Sequence, residues 1–288
     1  MTDLFHSTMD TDIILENVII AIEENFPEFR VELILSNDQD RQTKIQIKQF
    51  DYLSERPSTI EAFVSGELTV EFVEELQTKL LNAPIKGRQA IYGILQVHSP
   101  IDYIYTEVQK NFIRMLAQAS GNALENAKLN HQSHRLIADL QMINETSHRL
   151  NLNLTIDEML FYLQKQLIKS FQPMELGFVF KEEIYEVANT LTNVFLSDKG
   201  KLYLNYVENH FINTKDSLFI ADFSRLIDEK VQFKSIMAIP MLVGNKIIGY
   251  CIVLHEQPYF FSFDSFKLMQ SLIQHSSLAI SNSILRDH

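Results

Sequence analysis

One cysteine, Cys251, stands in the 288 residues. A lone thiol excludes an internal disulfide, a cysteine-rich zinc site and a cysteine-held cluster. Only 8 glycines are present, and most are committed to turns, so no glycine-rich phosphate loop and no Gly-x-Ser-x-Gly elbow can be assembled. No His-Glu-x-x-His occurs either. Basic residues are outnumbered, 25 to 37, for a formal charge of −12, which argues against nucleic acid or an anionic membrane as a main partner. No apolar run approaches the roughly 18 residues that cross a bilayer. Met1 to Asp10 lacks the basic-then-apolar order of a signal peptide, and a cytoplasmic location is the expectation.

What is present is globular: 46% hydrophobic and 22% charged residues, over a length that suggests about two domains. The chain is organised around Thr106 to Leu150, which holds no proline and no glycine but Gly121. It opens with Thr106-Glu107-Val108-Gln109, a capping-box start, and as one helix would be about 67 Å long at 1.5 Å per residue. Phe112, Leu116, Ala119 and Ala123 predict a face packed on a sheet. Leu129, Leu136, Ile143 and Leu150 recur every seven residues, which suits a helix partner. With these at the d positions, Asn126, Ser133, Leu140 and Ser147 fall at a, a polar seam that fixes register at a cost in stability. Leu129, Leu136, Leu140, Ile143 and Leu150 are thus the expected dimer-helix residues.

Before this helix, the pattern predicts a helix over Asp12 to Glu24, strands at Arg30 to Leu35 and Thr43 to Phe50, and a short helix over Ser58 to Val64. Leu76 to Ile85 and Gln89 to His98 form a hairpin around Lys86-Gly87-Arg88. After Leu150 the order recurs. Thr155-Ile156-Asp157-Glu158 caps a helix to about Ser170, followed by strands at Met174 to Lys181 and Tyr185 to Val194. Then come a helix over Asp198 to Phe211, a strand at Ser217 to Ala221, a hairpin of Ile236 to Val243 with Lys246 to His255, and a last helix over Asp264 to Arg286, capped by Ser262.

The two halves also match residue by residue. Pro84 and Gly93 meet Pro240 and Gly249 at a separation of 156 (240 − 84), and at that offset Val97 meets Val253, Leu116 meets Leu272, Ser120 meets Ser276 and Asn126 meets Asn282. A period this long means two copies of a domain, not a solenoid. Tyr250 to Leu254 is apolar throughout, so both faces of its sheet must be covered. The expected fold is α+β: residues 1–125 and 151–288 each an antiparallel sheet, joined by a connecting helix over 126–150. The first and last helices cover one face and the middle helix roofs the other, where a small-molecule pocket would lie.

Ala238-Ile239-Pro240-Met241-Leu242, Lys246 to Leu254, Phe261-Ser262-Phe263-Asp264 and Ala279-Ile280-Ser281-Asn282 resemble the C-terminal half of a GAF domain. Ala83-Pro84-Ile85, Gly93 to Val97 and Ala123 to Ala127 are similar to the same pattern. The resemblance implies a regulatory module that binds a small ligand or dimerises, N-terminal to an output domain. Tandem pairs of this kind look like the sensory part of GGDEF-type diguanylate cyclases, with histidine kinases and phosphodiesterases as alternatives. The chain carries no catalytic motif of its own, so the output domain is expected beyond His288.

Six strand residues of the second copy are the ligand candidates: Phe178, Phe180, Asp222, Ser235, Met237 and Tyr250. The first copy, with the shorter middle, should have the smaller pocket. No cofactor is expected. Cys251, mid-strand among apolar neighbours, reads as core and not as the bilin attachment site of some family members. The family's Asn-Lys cyclic-nucleotide signature is displaced, since His255-Glu256 follows the Gly249 strand and Asn245-Lys246 lies in the hairpin. His131 and His134 share a helix face but lack a third metal ligand. Ser147-His148-Arg149-Leu150, without a kinase domain, reads as helix surface. The pairs Glu74-Glu75 and Glu182-Glu183 sit in polar surroundings and read as solvated.

Overall fold

The computed structural model describes residues 2–36, 47–152, 154–181, 195, 197–227 and 230–287. The chain divides into two compact units, Met1–Leu136 and Ile137–His288.

In the first unit, α1 (Thr2–Asn25) leads to β1 (Arg30–Leu35), β2 (Ile47–Gln49), α2 (Pro57–Ser65), β3 (Thr69–Val73), β4 (Thr78–Lys86), β5 (Ile91–Pro100) and then α3 (Glu107–Leu150). The strands lie in the order β2-β1-β5-β4-β3. All ladders are antiparallel except β1 with β2, which run parallel, so the wholly antiparallel sheet expected here is corrected at that edge. Strand β3 was not anticipated from the sequence. It is short, half-exposed and ends directly in the 3₁₀ turn Glu74–Leu76. One sheet face is covered by Leu15, Val18 and Ile22 of α1 and by Ile113, Ala117 and Leu124 of α3, packed on Leu33, Leu81, Leu95 and Val97. Ile113 and Ala117 centre that contact, and Ala119 of the predicted stripe is exposed. Across the sheet α2 roofs a smaller apolar group, Ile34, Phe50, Ala62 and Ile94.

In the second unit, α4 (Ile156–Phe171) is followed by β6 (Glu175–Phe180), α5 (Asp198–Asn213), β7 (Leu218–Ile220), β8 (Ser235–Val243), β9 (Lys246–His255) and α6 (Phe263–Asp287). The strand predicted at Tyr185 to Val194 lies outside the described residues. The order is β6-β9-β8-β7, antiparallel throughout. Leu163 and Leu167 of α4 and Leu272, Ile273 and Ile280 of α6 pack on Phe178, Met237, Ile239 and Val253. The opposite face carries Tyr203 and Val207 of α5 with Phe223, Phe233, Ile236, Ala238, Tyr250 and Ile252.

The strand registers repeat. Pro84 pairs with Ile94 and Pro240 with Tyr250, and the ladder shifts between Ile85 and Lys86 in one unit and between Met241 and Leu242 in the other. Both bulges sit at the offset of 156 seen in the sequence. Gly93 and Gly249 each face the strand to the other side: a Cβ on Gly93 would lie 2.1 Å from the Ile34 carbonyl oxygen, and one on Gly249 2.4 Å from that of Val179. The closeness of two backbones explains why both positions are glycine.

The capping chemistry is present as expected. Thr106 Oγ1 accepts from the Gln109 amide at 3.2 Å while Gln109 Oε1 accepts from the Thr106 amide at 2.9 Å. Thr155 and Glu158 form the same reciprocal pair at the start of α4.

Candidate functional site

The roofed face of the first unit carries, beside its small apolar group, a buried polar network. Asn82 on β4 and Gln96 on β5 are direct cross-strand partners, and both are buried. Gln96 Nε2 donates to Asn82 Oδ1 at 2.8 Å and to Thr59 Oγ1 at 3.2 Å; Thr59, in α2, donates in turn to Asn82 Oδ1 at 3.3 Å. Asn82 Nδ2 donates to Ser58 Oγ at 3.2 Å and Thr69 Oγ1 at 3.3 Å. Asn82 thereby uses both donors and both acceptor positions of its amide.

This network reaches the surface through Glu71 on β3. Its carboxylate accepts from the Ser58 hydroxyl and, at 2.9 Å, from Arg56 Nε. Burial raises the Glu71 carboxyl, but the bonds from Ser58 and Arg56 outweigh it and hold the group below its usual range. Beside Gln96 the same face continues with Glu32 and His98, 3.6 Å apart. Burial lowers the His98 pKa against the pull of Glu32, while Glu32, raised by burial, is brought below its usual range by Arg30, His98 and Lys48.

The second unit builds the equivalent place from hydrocarbon. Ala238 and Ile252 are cross-strand partners there, at the offset of 156 from Asn82 and Gln96. Around them Tyr203 lies over Phe223 and Phe233, with ring centroids 5.6 Å apart in each case, and its hydroxyl accepts from the Phe233 amide at 2.9 Å.

The six ligand candidates do not share one surface. Tyr250 alone lies on the roofed face, where its hydroxyl donates to Glu208 at 3.4 Å. Phe178, Phe180 and Met237 are on the opposite face, in the core beneath α4 and α6. In strands apolar on both sides, alternation separates two sets but does not say which set meets the roof. Ser235 is buried and structural: its hydroxyl donates to the Gln257 carbonyl at 2.8 Å and accepts from the Phe260 amide at 3.0 Å. Asp222 caps a 3₁₀ turn, accepting from the Ser224 hydroxyl at 2.6 Å and from Arg225 Nε at 3.1 Å. The Ser224 bond, with the Arg225 pair behind it, outweighs the opposing desolvation and keeps its carboxyl below the usual range.

A cavity of about 290 Å³ opens elsewhere in this unit, at the hairpin end of the sheet. Lys181, just past β6, Lys215, after α5, and Lys246, the first residue of β9, line it together with Asn245, Phe211 and Ile247. None of the six candidates does. The sequence held one signal for it: two lysines, Lys181 and Lys246, at the ends of predicted strands and a third, Lys215, in the connection between a predicted helix and strand, in a chain short of bases.

On α3, Leu129, Leu136 and Leu140 are 42%, 59% and 55% exposed. Ile143 is half-buried. Leu150 belongs to the second unit's core and is not available to a partner helix, which corrects its place in the predicted seam. Cys251 is wholly buried, and burial pushes its thiol pKa far up. Among the described residues no group of three metal-ligating side chains occurs, and no helix is long and apolar enough to cross a membrane.

No family model matches the chain. It is 32% identical over 292 residues to a protein of Bacillus subtilis (strain 168) described as uncharacterized protein YtrP. That alignment takes in all of this chain and 49% of the relative, so the chain spans about half the relative's length. Among solved structures it is similar to the GAF domain of an Acinetobacter phosphoenolpyruvate-protein phosphotransferase, with 13% identity and a TM-score of 0.36 over 50% of this chain and 93% of that one. The corresponding Coxiella burnetii domain gives 10% and 0.38 over 52% and 96%. The R. palustris bacteriophytochrome RpBphP3 gives 12% and 0.38 over 70% and 38%.

Proposed function

We propose that this chain is a tandem GAF-like regulatory module that senses a small molecule, dimerises through its helices and controls an output domain, a diguanylate cyclase in keeping with the resemblance of its residues. It regulates and does not itself catalyse. The observation that carries this is the doubled register: the same hairpin pairing, the same bulge and the same close-packed glycine at a constant offset of 156. The unlike roofed faces support different tasks for the copies.

A second reading, dimerisation without a ligand, is favoured by the filling of both roofed faces by the chain's own side chains. Thermal unfolding of the full chain against a panel of metabolites separates the two. A ligand that binds only the native state raises the midpoint by mass action, and a panel that leaves it unmoved, with a dimer that Leu136→Asp dissociates, selects the structural reading.

A further inference from the structure

We infer that the cavity at the hairpin end of the second unit is a binding site for a small metabolite that combines a compact, multiply charged oxyanion with an apolar portion. Three observations meet there. First, Lys181, Lys215 and Lys246 arrive from three separate parts of the fold, and no carboxylate lines the space among the described residues, in a chain where acids outnumber bases 37 to 25. Like charges gathered around one space leave a positive potential that an anion neutralises. Second, the polar rim is tied down by its own hydrogen bonds. Lys215 Nζ donates to Asn245 Oδ1 at 2.7 Å, which holds both side chains at the edge of the space. The Asp216 carboxylate is engaged by the Thr214 hydroxyl at 2.9 Å, and the Thr214 amide closes the last turn of α5 on the His210 carbonyl. Third, one wall is apolar. Phe211 rests on Tyr250 with ring centroids 5.3 Å apart, Ile247 is nearly buried, and Ile212 is 78% exposed at the edge. Lysine ammonium groups hold phosphate or carboxylate as point charges, and an aromatic wall takes the rest of the molecule.

This deepens the sensory reading by naming the ligand's chemistry, and it rests on that reading for its biological meaning only. Calorimetry on the full chain tests it, with phenyl phosphate, inorganic phosphate, citrate and phenol as probes. Phenyl phosphate should bind more tightly than inorganic phosphate or phenol, with an affinity that falls as salt rises. Citrate binding as well as or better than phenyl phosphate assigns the anion to polycarboxylates; the reverse assigns it to phosphorylated compounds. Lys246→Gln and, separately, Lys215→Gln should each weaken binding roughly tenfold without moving the thermal midpoint of the unliganded chain. Binding unchanged in both variants, or no binding of either anion class, overturns the site. Neither result touches the sensory reading, which turns on the metabolite panel and the dimer.

Discussion

Glu125 is a single side chain of α3 that holds the tip of the β4–β5 hairpin. Its carboxylate accepts from the amides of Arg88 and Gln89, each at 2.8 Å, and from the Tyr92 hydroxyl at 3.1 Å. The two backbone bonds, Arg88 first, outweigh desolvation and keep the carboxyl below the ordinary glutamate range. A depressed folded pKa means that its contribution is complete above the unfolded value of about 4.3 and is lost as pH falls through the lower folded value. Hydrogen exchange at the Arg88 and Gln89 amides, corrected for intrinsic rate, should therefore lose protection on acidification through that window. In Glu125→Gln the protection should already be reduced at neutral pH and should no longer follow pH. A harsher effect is expected at Gly93, where Gly93→Ala sets a methyl group against the Ile34 carbonyl. Urea unfolding should show a loss of about 3 kcal/mol, the upper end of ordinary overpacking, because the obstacle is backbone and has no rotamer to change. The pairing of Gly93 with Gly249 was legible in the sequence; the reason for it, a neighbouring strand about 2 Å from the missing Cβ, was not.

At the level of elements the two sheets make a natural substitution experiment. Asn82→Ala leaves Gln96, Thr59 and Thr69 without their common partner and should cost about 1–3 kcal/mol, as should Gln96→Ile taken alone. The double variant reproduces the Ala238–Ile252 pair of the second unit, removes donor and acceptor together, and should cost clearly less than the two singles combined. Full additivity in denaturant titrations would mean that the pair acts independently. Helix starts such as Thr106 and Thr155 were readable because a cap is a local bargain between a side chain and its own backbone. Strand β3 was not, since its pattern is short and its outer residues, Phe72 among them, are left exposed at a sheet edge. The polar network escaped notice for a related reason. An asparagine or glutamine alternating with apolar residues looks like a solvent-facing position until α2 is seen lying over it.

For the whole molecule, the proposed dimer turns on Leu136 and its neighbours on α3. Leu136→Asp should convert a concentration-dependent dimer into a monomer in sedimentation equilibrium, and the melting temperature of the parent chain should rise with protein concentration while that of the variant does not. A parent that sediments as a monomer at every concentration removes the seam. The heptad spacing was visible in the sequence, but its end was not, because Leu150 satisfies the repeat equally well by entering the second unit's core. The contrast between Asn82–Gln96 and Ala238–Ile252 has one more outcome. An interior closed by aromatic rings loosens when the solvent's aversion to oil fades, as on cooling, whereas one closed by amides and hydroxyls leans less on that aversion. A single polypeptide thus carries two enclosures of unlike chemistry, and on cooling the aromatic one should be the first to slacken.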